Sequence, residues 1–338
     1  MAKESTLPEI GGEFGDYRII SELGRGNNGV VYLAEQQVLD REVALKVLLP
    51  ENSGNREYVD LLMNEARSAA QMCHPHIVQA LDAGNINGCY FLAMEYVRGR
   101  TLEDIRLESP ELISFKFLVN LSIQLADALD YAWQNFRMTH GDVKPENLLI
   151  RDDGRTLKLA DLGLAHVSGR VNMEDGSIMA TPMYVAPEVI SGNGAAGVRS
   201  DIYSFGVMFY ELIAGEPPFR GDTENMLRCH LDVPAPPLAA ANPDVPPELA
   251  EFTARMLSKS PDERPQSWRE VKEFLEAFRA KFQQPAPAAA VVSEAFEPRK
   301  SSGESPLPKI LFAVFIAVLV IILLGLFGVL YWMMALRK

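Results

Sequence analysis

The chain has 338 residues, 48% of them hydrophobic and 23% charged, with 32 Lys+Arg against 45 Asp+Glu for a net charge of −13. This composition excludes a collagenous, low-complexity or wholly disordered protein, and the acidic balance argues against nucleic-acid backbone binding as the main task. Three widely spaced cysteines, Cys73, Cys89 and Cys229, exclude a disulfide framework and a CxxC metal knuckle.

Residues 1–16 contain no apolar stretch able to act as a secretory signal and read as a flexible N-terminus. Strand-like alternation begins at Tyr17 (YRIISEL) and runs into Gly24-Arg25-Gly26-Asn27-Asn28-Gly29-Val30-Val31. A dinucleotide-binding fold would follow such glycines with a helix. Here VVYLA follows, β-branched and aromatic, which predicts a hairpin. Its glycines would let backbone N–H groups approach a polyphosphate, the plain alternative being a Gly-rich turn with no ligand. Val43-Ala44-Leu45-Lys46 is a short apolar strand ending in a lysine. A strand lysine is ordinarily a solvated edge residue, and it needs a buried acid to mean more.

Residues 55–72 have helical periodicity, with Tyr58, Leu61, Leu62, Ala66, Ala69 and Ala70 on the apolar face, and they carry Glu65. His74-Pro75-His76-Ile77-Val78 breaks that helix and is expected to start another strand. In HGDVKPENLLI (residues 140–150), Asp142, Lys144 and Asn147 fall within six residues ahead of an apolar strand. Such polar groups beside a buried strand need partners. Leu157 to Gly163 (LKLADLG) again ends a strand in a carboxylate and a glycine, Asp161-Leu162-Gly163. Two aspartates and an asparagine on loops after short strands supply hard oxygen ligands for a divalent cation and a group to orient a hydroxyl.

Taken in order, GxGxxGxV, VALK, a helix Glu, HGDVKPEN, DLG and ATPMYVAPE resemble the eukaryotic-type (Hanks-type) Ser/Thr protein kinases, over residues 17–282. The resemblance implies a bilobal α+β fold, with a β-rich N-lobe, a helical C-lobe and ATP between them. It also implies site roles. Gly24, Gly26 and Gly29 would cover the ATP phosphates, and Val31, Ala44 and Leu149 would also bind the nucleotide. Lys46 would contact the α/β-phosphates and pair with Glu65. Met94 would be the gatekeeper, with Glu95-Tyr96-Val97 as the adenine-contacting hinge. Asp142 would accept the substrate hydroxyl proton, Lys144 would steady the γ-phosphate, and Asn147 and Asp161 would hold Mg²⁺ or Mn²⁺. Thr181 would bridge Asp142 and Lys144, Glu188 would pair with Arg264, and Asp201 would anchor the catalytic-loop backbone.

Two positions depart from the family pattern. Gly141 stands where most such kinases carry an arginine that pairs with an activation-segment phosphate, which puts that mode of switching in doubt for Ser168, Ser177 and Thr181. Leu162 replaces the phenylalanine of the metal motif. Gly141 also suggests a rival, a small-molecule phosphotransferase of the same superfold; Lys144, the Ala186-Pro187-Glu188 motif and Arg264 favour a protein substrate. A second rival is a membrane-tethered pseudokinase scaffold, whose usual signature is loss of the Lys, the catalytic Asp or the metal Asp. None is lost.

Residues 283–309 are rich in Pro, Ala and Ser and read as a juxtamembrane linker. Ile310 to Leu330 is an unbroken apolar run; at about 1.5 Å per residue it spans roughly 30 Å, the thickness of a bilayer's hydrocarbon core. With Tyr331 and Trp332 as an interfacial belt, residues 310–332 are predicted as one transmembrane helix, leaving a short tail at 333–338. The similarity then extends to membrane-anchored bacterial kinases. ATP supply would place the catalytic body in the cytoplasm, with unknown protein substrates and no nucleic-acid partner. Surface confinement would raise the local concentration of neighbouring copies, leaving self-association open.

Overall fold

A computed structural model describes residues 7–26, 28–162, 171–172, 177–178, 181–192 and 197–283. The predicted linker beyond Gln283, the transmembrane segment and the tail lie outside the described residues. Among the described residues no helix is long and apolar enough to cross a membrane.

The N-lobe is an antiparallel sheet in the order β1-β2-β3-β4-β6-β5. Its strands are β1 (Glu13–Phe14), β2 (Tyr17–Arg25), β3 (Gly29–Gln36), β4 (Arg41–Leu48), β5 (Ala80–Ile86) and β6 (Cys89–Glu95). The expected glycine hairpin is the β2–β3 connection, closed by Gly26 N–H donating to the Gly29 carbonyl at 2.9 Å. Order starts earlier than the flexible terminus assigned to residues 1–16. Phe14 is buried and β1 pairs with β2, because Phe14 packs edge-on against Phe91 at 5.9 Å.

Helix α1 (Arg56–Gln71) packs across this sheet. Asn55 caps it by accepting from the Glu57 N–H at 2.9 Å. Leu61, Leu62, Ala66 and Ala69 are buried as the periodicity requires, and Glu65 is buried with them. Ala70, assigned to the same face, is exposed because the helix turns it past the sheet. The strand expected directly after Pro75 begins only at Ala80. Residues 76–78 instead bond to a strand of the other lobe: the Leu159 N–H donates to the His76 carbonyl at 2.8 Å and the Val78 N–H to the Leu159 carbonyl at 2.9 Å.

In the C-lobe, β7 (Gly99–Thr101), β8 (Leu148–Arg151) and β9 (Leu157–Leu159) form a small sheet in that order. Its helical body includes α2 (Leu102–Glu108), α3 (Phe115–Phe136), α4 (Pro187–Ser191), α5 (Val198–Ala214), α6 (Thr223–Asp232), α7 (Pro247–Met256) and α8 (Trp268–Gln283). Helix α5 is buried all round, from Ser200 through Ile213, so it is the axis of the main core rather than an amphipathic cover. Gly206 makes this packing possible, since a Cβ there would sit 2.8 Å from that of Met256 on α7.

Candidate active site

Between the two sheets lies a cleft of about 640 Å³, within the range of small-molecule sites. Gly24, Gly26, Gly29 and Val31 line it from above, Lys46 and Glu65 from behind, and Asp142, Lys144, Asn147 and Asp161 from below. The three glycines differ. A side chain at Gly24 or Gly26 would meet open space, which leaves their backbone free to approach a ligand. At Gly29 a Cβ would come within 2.7 Å of the Val47 carbonyl, so that glycine is required by the β3–β4 packing itself.

Lys46 is not a solvated edge residue. Its Nζ donates to both Glu65 carboxylate oxygens at 2.9 and 3.0 Å and to Asp161 Oδ1 at 3.1 Å. Burial opposes the charge on Lys46, but the carboxylates of Asp161 and Glu65 outweigh it and hold the ammonium protonated well above its ordinary range. The Lys46 charge pulls Asp161 below the usual carboxylate range against burial, while burial pushes Glu65 up to about 7. Asp161 has φ +55°, a left-handed backbone that is uncommon for a non-glycine residue and concentrates at functional sites.

The segment 140–147 is held from three sides. Buried Asp201 accepts the backbone N–H groups of His140 at 2.7 Å and Gly141 at 2.8 Å. His140 Nε2 lies 3.0 Å from the Ala160 carbonyl and its Nδ1 faces the Asp142 N–H, which places the ring proton on Nε2. Gly141 has φ +77°, where glycine is unstrained, so its identity has a backbone reason beside the missing arginine. Asp142 pairs with Lys144 Nζ at 2.6 Å. The Thr181 hydroxyl donates to Asp142 Oδ1 at 2.9 Å and accepts from Lys144 Nζ at 2.9 Å. Asn147 Nδ2 donates to the Asp142 carbonyl at 2.8 Å, which turns its Oδ1 away as an oxygen ligand. That oxygen and the Asp161 carboxylate are a hard donor set suited to a hexacoordinate divalent cation.

Ala44, Met94, Val97 and Leu149 belong to one apolar cluster, which also contains Leu48, Val78 and Leu92. Four of the residues expected to bind the nucleotide are thereby grouped, and Leu48 of the same cluster lines the cleft. Glu95 follows Met94, with its carboxylate engaged by Lys158 at 2.7 Å, a partner that sequence reading missed. The available signal was position: Lys158 lies between two leucines on a strand where all three residues are buried. A second missed set is Tyr184, whose hydroxyl donates to buried Glu211 at 2.7 Å, with Arg106 Nη1 3.7 Å from the same carboxylate. Glu188 and Arg264 pair bidentately at 2.8 and 2.9 Å. Leu162 is buried.

The model for the protein kinase domain matches residues 17–276. Serine/threonine-protein kinase PknD of Mycobacterium tuberculosis is 36% identical over 261 residues, covering 76% of this chain and 39% of PknD. Serine/threonine-protein kinase PrkC of Bacillus subtilis is 34% identical over 253 residues, covering 74% of this chain and 38% of PrkC. The chain thus spans less than half the length of these relatives. The crystal structure of the Mycobacterium tuberculosis PknI kinase domain aligns with a TM-score of 0.64 at 28% identity, over 80% of this chain and 99% of that one.

Proposed function

The chain belongs to the protein kinase family, and from that premise we propose that it is an ATP-dependent Ser/Thr protein kinase. The observation that carries the proposal is the Lys46 ammonium, bonded at once to Glu65 and to Asp161 beneath the glycine hairpin. That arrangement assembles residues far apart in sequence around one point where a polyphosphate fits. Its intact pairs support turnover rather than a scaffold role.

Phosphoryl transfer is mainly positioning and charge neutralisation. The glycine hairpin covers the phosphates, its backbone able to approach closely at Gly24 and Gly26, and Lys46, oriented by Glu65, holds the α/β-phosphates. Asn147 Oδ1 and the Asp161 carboxylate would hold Mg²⁺ (or Mn²⁺), which neutralises phosphate charge when bound. The substrate hydroxyl oxygen forms its bond to the γ-phosphorus as the bond to the ADP oxygen breaks. Asp142 orients that hydroxyl and takes its proton, and Lys144 balances the negative charge of the transferred group. Thr181 fixes Asp142 and Lys144 relative to each other and to the peptide-docking residues that follow it.

The reading includes a membrane anchor at residues 310–332, supported by the length and apolarity of that run, with the catalytic body on the cytoplasmic side, where ATP is supplied. It also includes autophosphorylation between neighbouring copies. Incubation of the full chain with γ-labelled ATP, Mg²⁺ and a Ser/Thr peptide library tests the activity. Label on Ser or Thr is expected; label confined to small hydroxylated metabolites would overturn the protein-substrate assignment. Partition of the chain into carbonate-washed membranes tests the anchor, and recovery in the supernatant would refute it.

A further inference from the structure

Strand β9 is three residues long, and Leu157, Lys158 and Leu159 are all buried. Lys158 is 8% exposed. An ammonium at such depth requires a counter-charge. It finds Glu95 Oε2 at 2.7 Å and lies 3.4 Å from the Ile77 carbonyl. The pair joins the segment assigned to the base to the strand that leads towards Asp161 in the cleft. Glu95 closes β6 and leads into Tyr96-Val97, with Met94 and Val97 in the apolar cluster described above. Lys158 is three residues before Asp161.

The main chain completes a closed ring through the same residues. The Glu95 N–H donates to the Gln79 carbonyl at 2.9 Å, and its neighbour Val78 donates to Leu159 at 2.9 Å. Ala160 then donates to the Asn147 carbonyl at 2.9 Å, so the ring reaches both oxygen donors of the predicted metal site. On the other side, β7 pairs with β8 through Gly99 and Arg151. The segment from Glu95 to Gly99 is therefore attached to the lower sheet at three points: the ion pair at Glu95, the Asp152 N–H donating to the Arg98 carbonyl at 3.1 Å, and strand pairing at Gly99.

We propose that Lys158 and Glu95 are positioning residues for the nucleotide, a buried brace that sets the separation between the base-contacting segment 95–97 and the phosphate-end donors Asp161 and Asn147. The proposal rests on the nucleotide reading above. Neither side chain is a catalytic residue: the Glu95 carboxylate is occupied by Lys158, which leaves the Glu95 backbone, not its side chain, for the base.

A plain structural pair and a brace make different predictions in the full-length protein. K158M alone strands Glu95 and lowers stability. The apolar pair K158M/E95L removes both charges, and such replacements are often neutral or stabilising, so its urea midpoint is expected at or above that of the wild type. Calorimetric binding to the double variant separates the roles. Adenosine, which occupies only the base end, is expected to bind as to the wild type. ADP with Mg²⁺, which spans both ends, is expected to bind about tenfold more weakly, through lost alignment. The KM for ATP should rise with it while the KM for peptide stays constant. Equal loss for adenosine and ADP would mean that Glu95 contacts the base directly, and unchanged affinity for both would mean that the pair serves stability alone; either overturns the brace. A wild-type chain that binds neither ligand overturns the nucleotide reading itself.

Discussion

Replacing Glu188 by Ala removes one partner from a fully hydrogen-bonded buried charge, the Arg264 guanidinium. Arg264 is 0% exposed, and each of its five N–H groups has an acceptor. Nε donates to the Ser258 carbonyl at 2.8 Å, Nη1 to Glu188 and the Arg199 carbonyl at 2.8 and 2.9 Å, and Nη2 to Glu188 and the Lys259 carbonyl at 2.9 Å each. The guanidinium also lies 4.8 Å over the Tyr203 ring. The Glu188→Ala change leaves two donors and a full charge without compensation, and deprives the Ser200 hydroxyl of its acceptor at 2.7 Å. Breaking a buried pair this way costs about 3–5 kcal/mol. With a urea slope of about 3 kcal/mol per M, the unfolding midpoint should fall by roughly 1–2 M, read by the fluorescence of buried Trp268. The conservative Glu188→Gln change keeps one acceptor and should cost less.

The same carboxylate gives the experiment a pH dependence. Burial opposes ionisation of Glu188, but the Arg264 hydrogen bonds and charge outweigh it and hold the group below its ordinary 4.5. A folded-state value below the unfolded one stabilises the protein above pH 4.5, and the contribution is lost as pH falls through the folded value. The stability gap between wild type and Glu188→Gln should therefore narrow below about pH 4.5. A Glu188→Ala stability within about 0.5 kcal/mol of wild type, or a gap that widens in acid, would refute the reasoning.

Other perturbations probe the cleft. Lys46→Met should cut kcat at least 100-fold (~3 kcal/mol of transition-state stabilisation) while ADP remains bound, checked by steady-state kinetics beside calorimetry. Thr181→Ala removes the hydroxyl shared by Asp142 and Lys144 and should lower kcat about tenfold, in line with one charge-assisted hydrogen bond, with Thr181→Ser restoring most of it. Gly29→Ala must displace the β4 backbone and should lose about 1–3 kcal/mol in thermal or urea unfolding, whereas Gly26→Ala, facing open space, should leave stability near wild type and alter nucleotide affinity instead.

Local patterns account for what was legible in the sequence. The β-branched run after Gly29 distinguishes a hairpin from a helix, and the 3.6-residue period of residues 55–72 places Leu61, Leu62, Ala66 and Ala69 on the buried face. The six-residue cluster of Asp142, Lys144 and Asn147 is local by construction. Partners distant in the chain were less accessible: that Lys46 meets Glu65 came from the resemblance, not from periodicity. Lys158–Glu95 and Tyr184–Glu211 escaped notice because a lysine on a strand and a glutamate on an apolar helix carry no local mark of their partners. The late start of β5 has a similar origin. Residues 76–78 have strand-like composition, but tertiary hydrogen bonds to β9 claim their backbone first.

Asp142 carries the central claim, and its carboxamide variant tests it most directly. Wild-type chain and Asp142→Asn should be compared for transfer of labelled γ-phosphate to Ser and Thr hydroxyls, with ADP binding measured on both. The account predicts label on wild type, a loss of at least 100-fold in the variant from removing the proton acceptor, and unchanged ADP affinity. Equal labelling by the two proteins would contradict it.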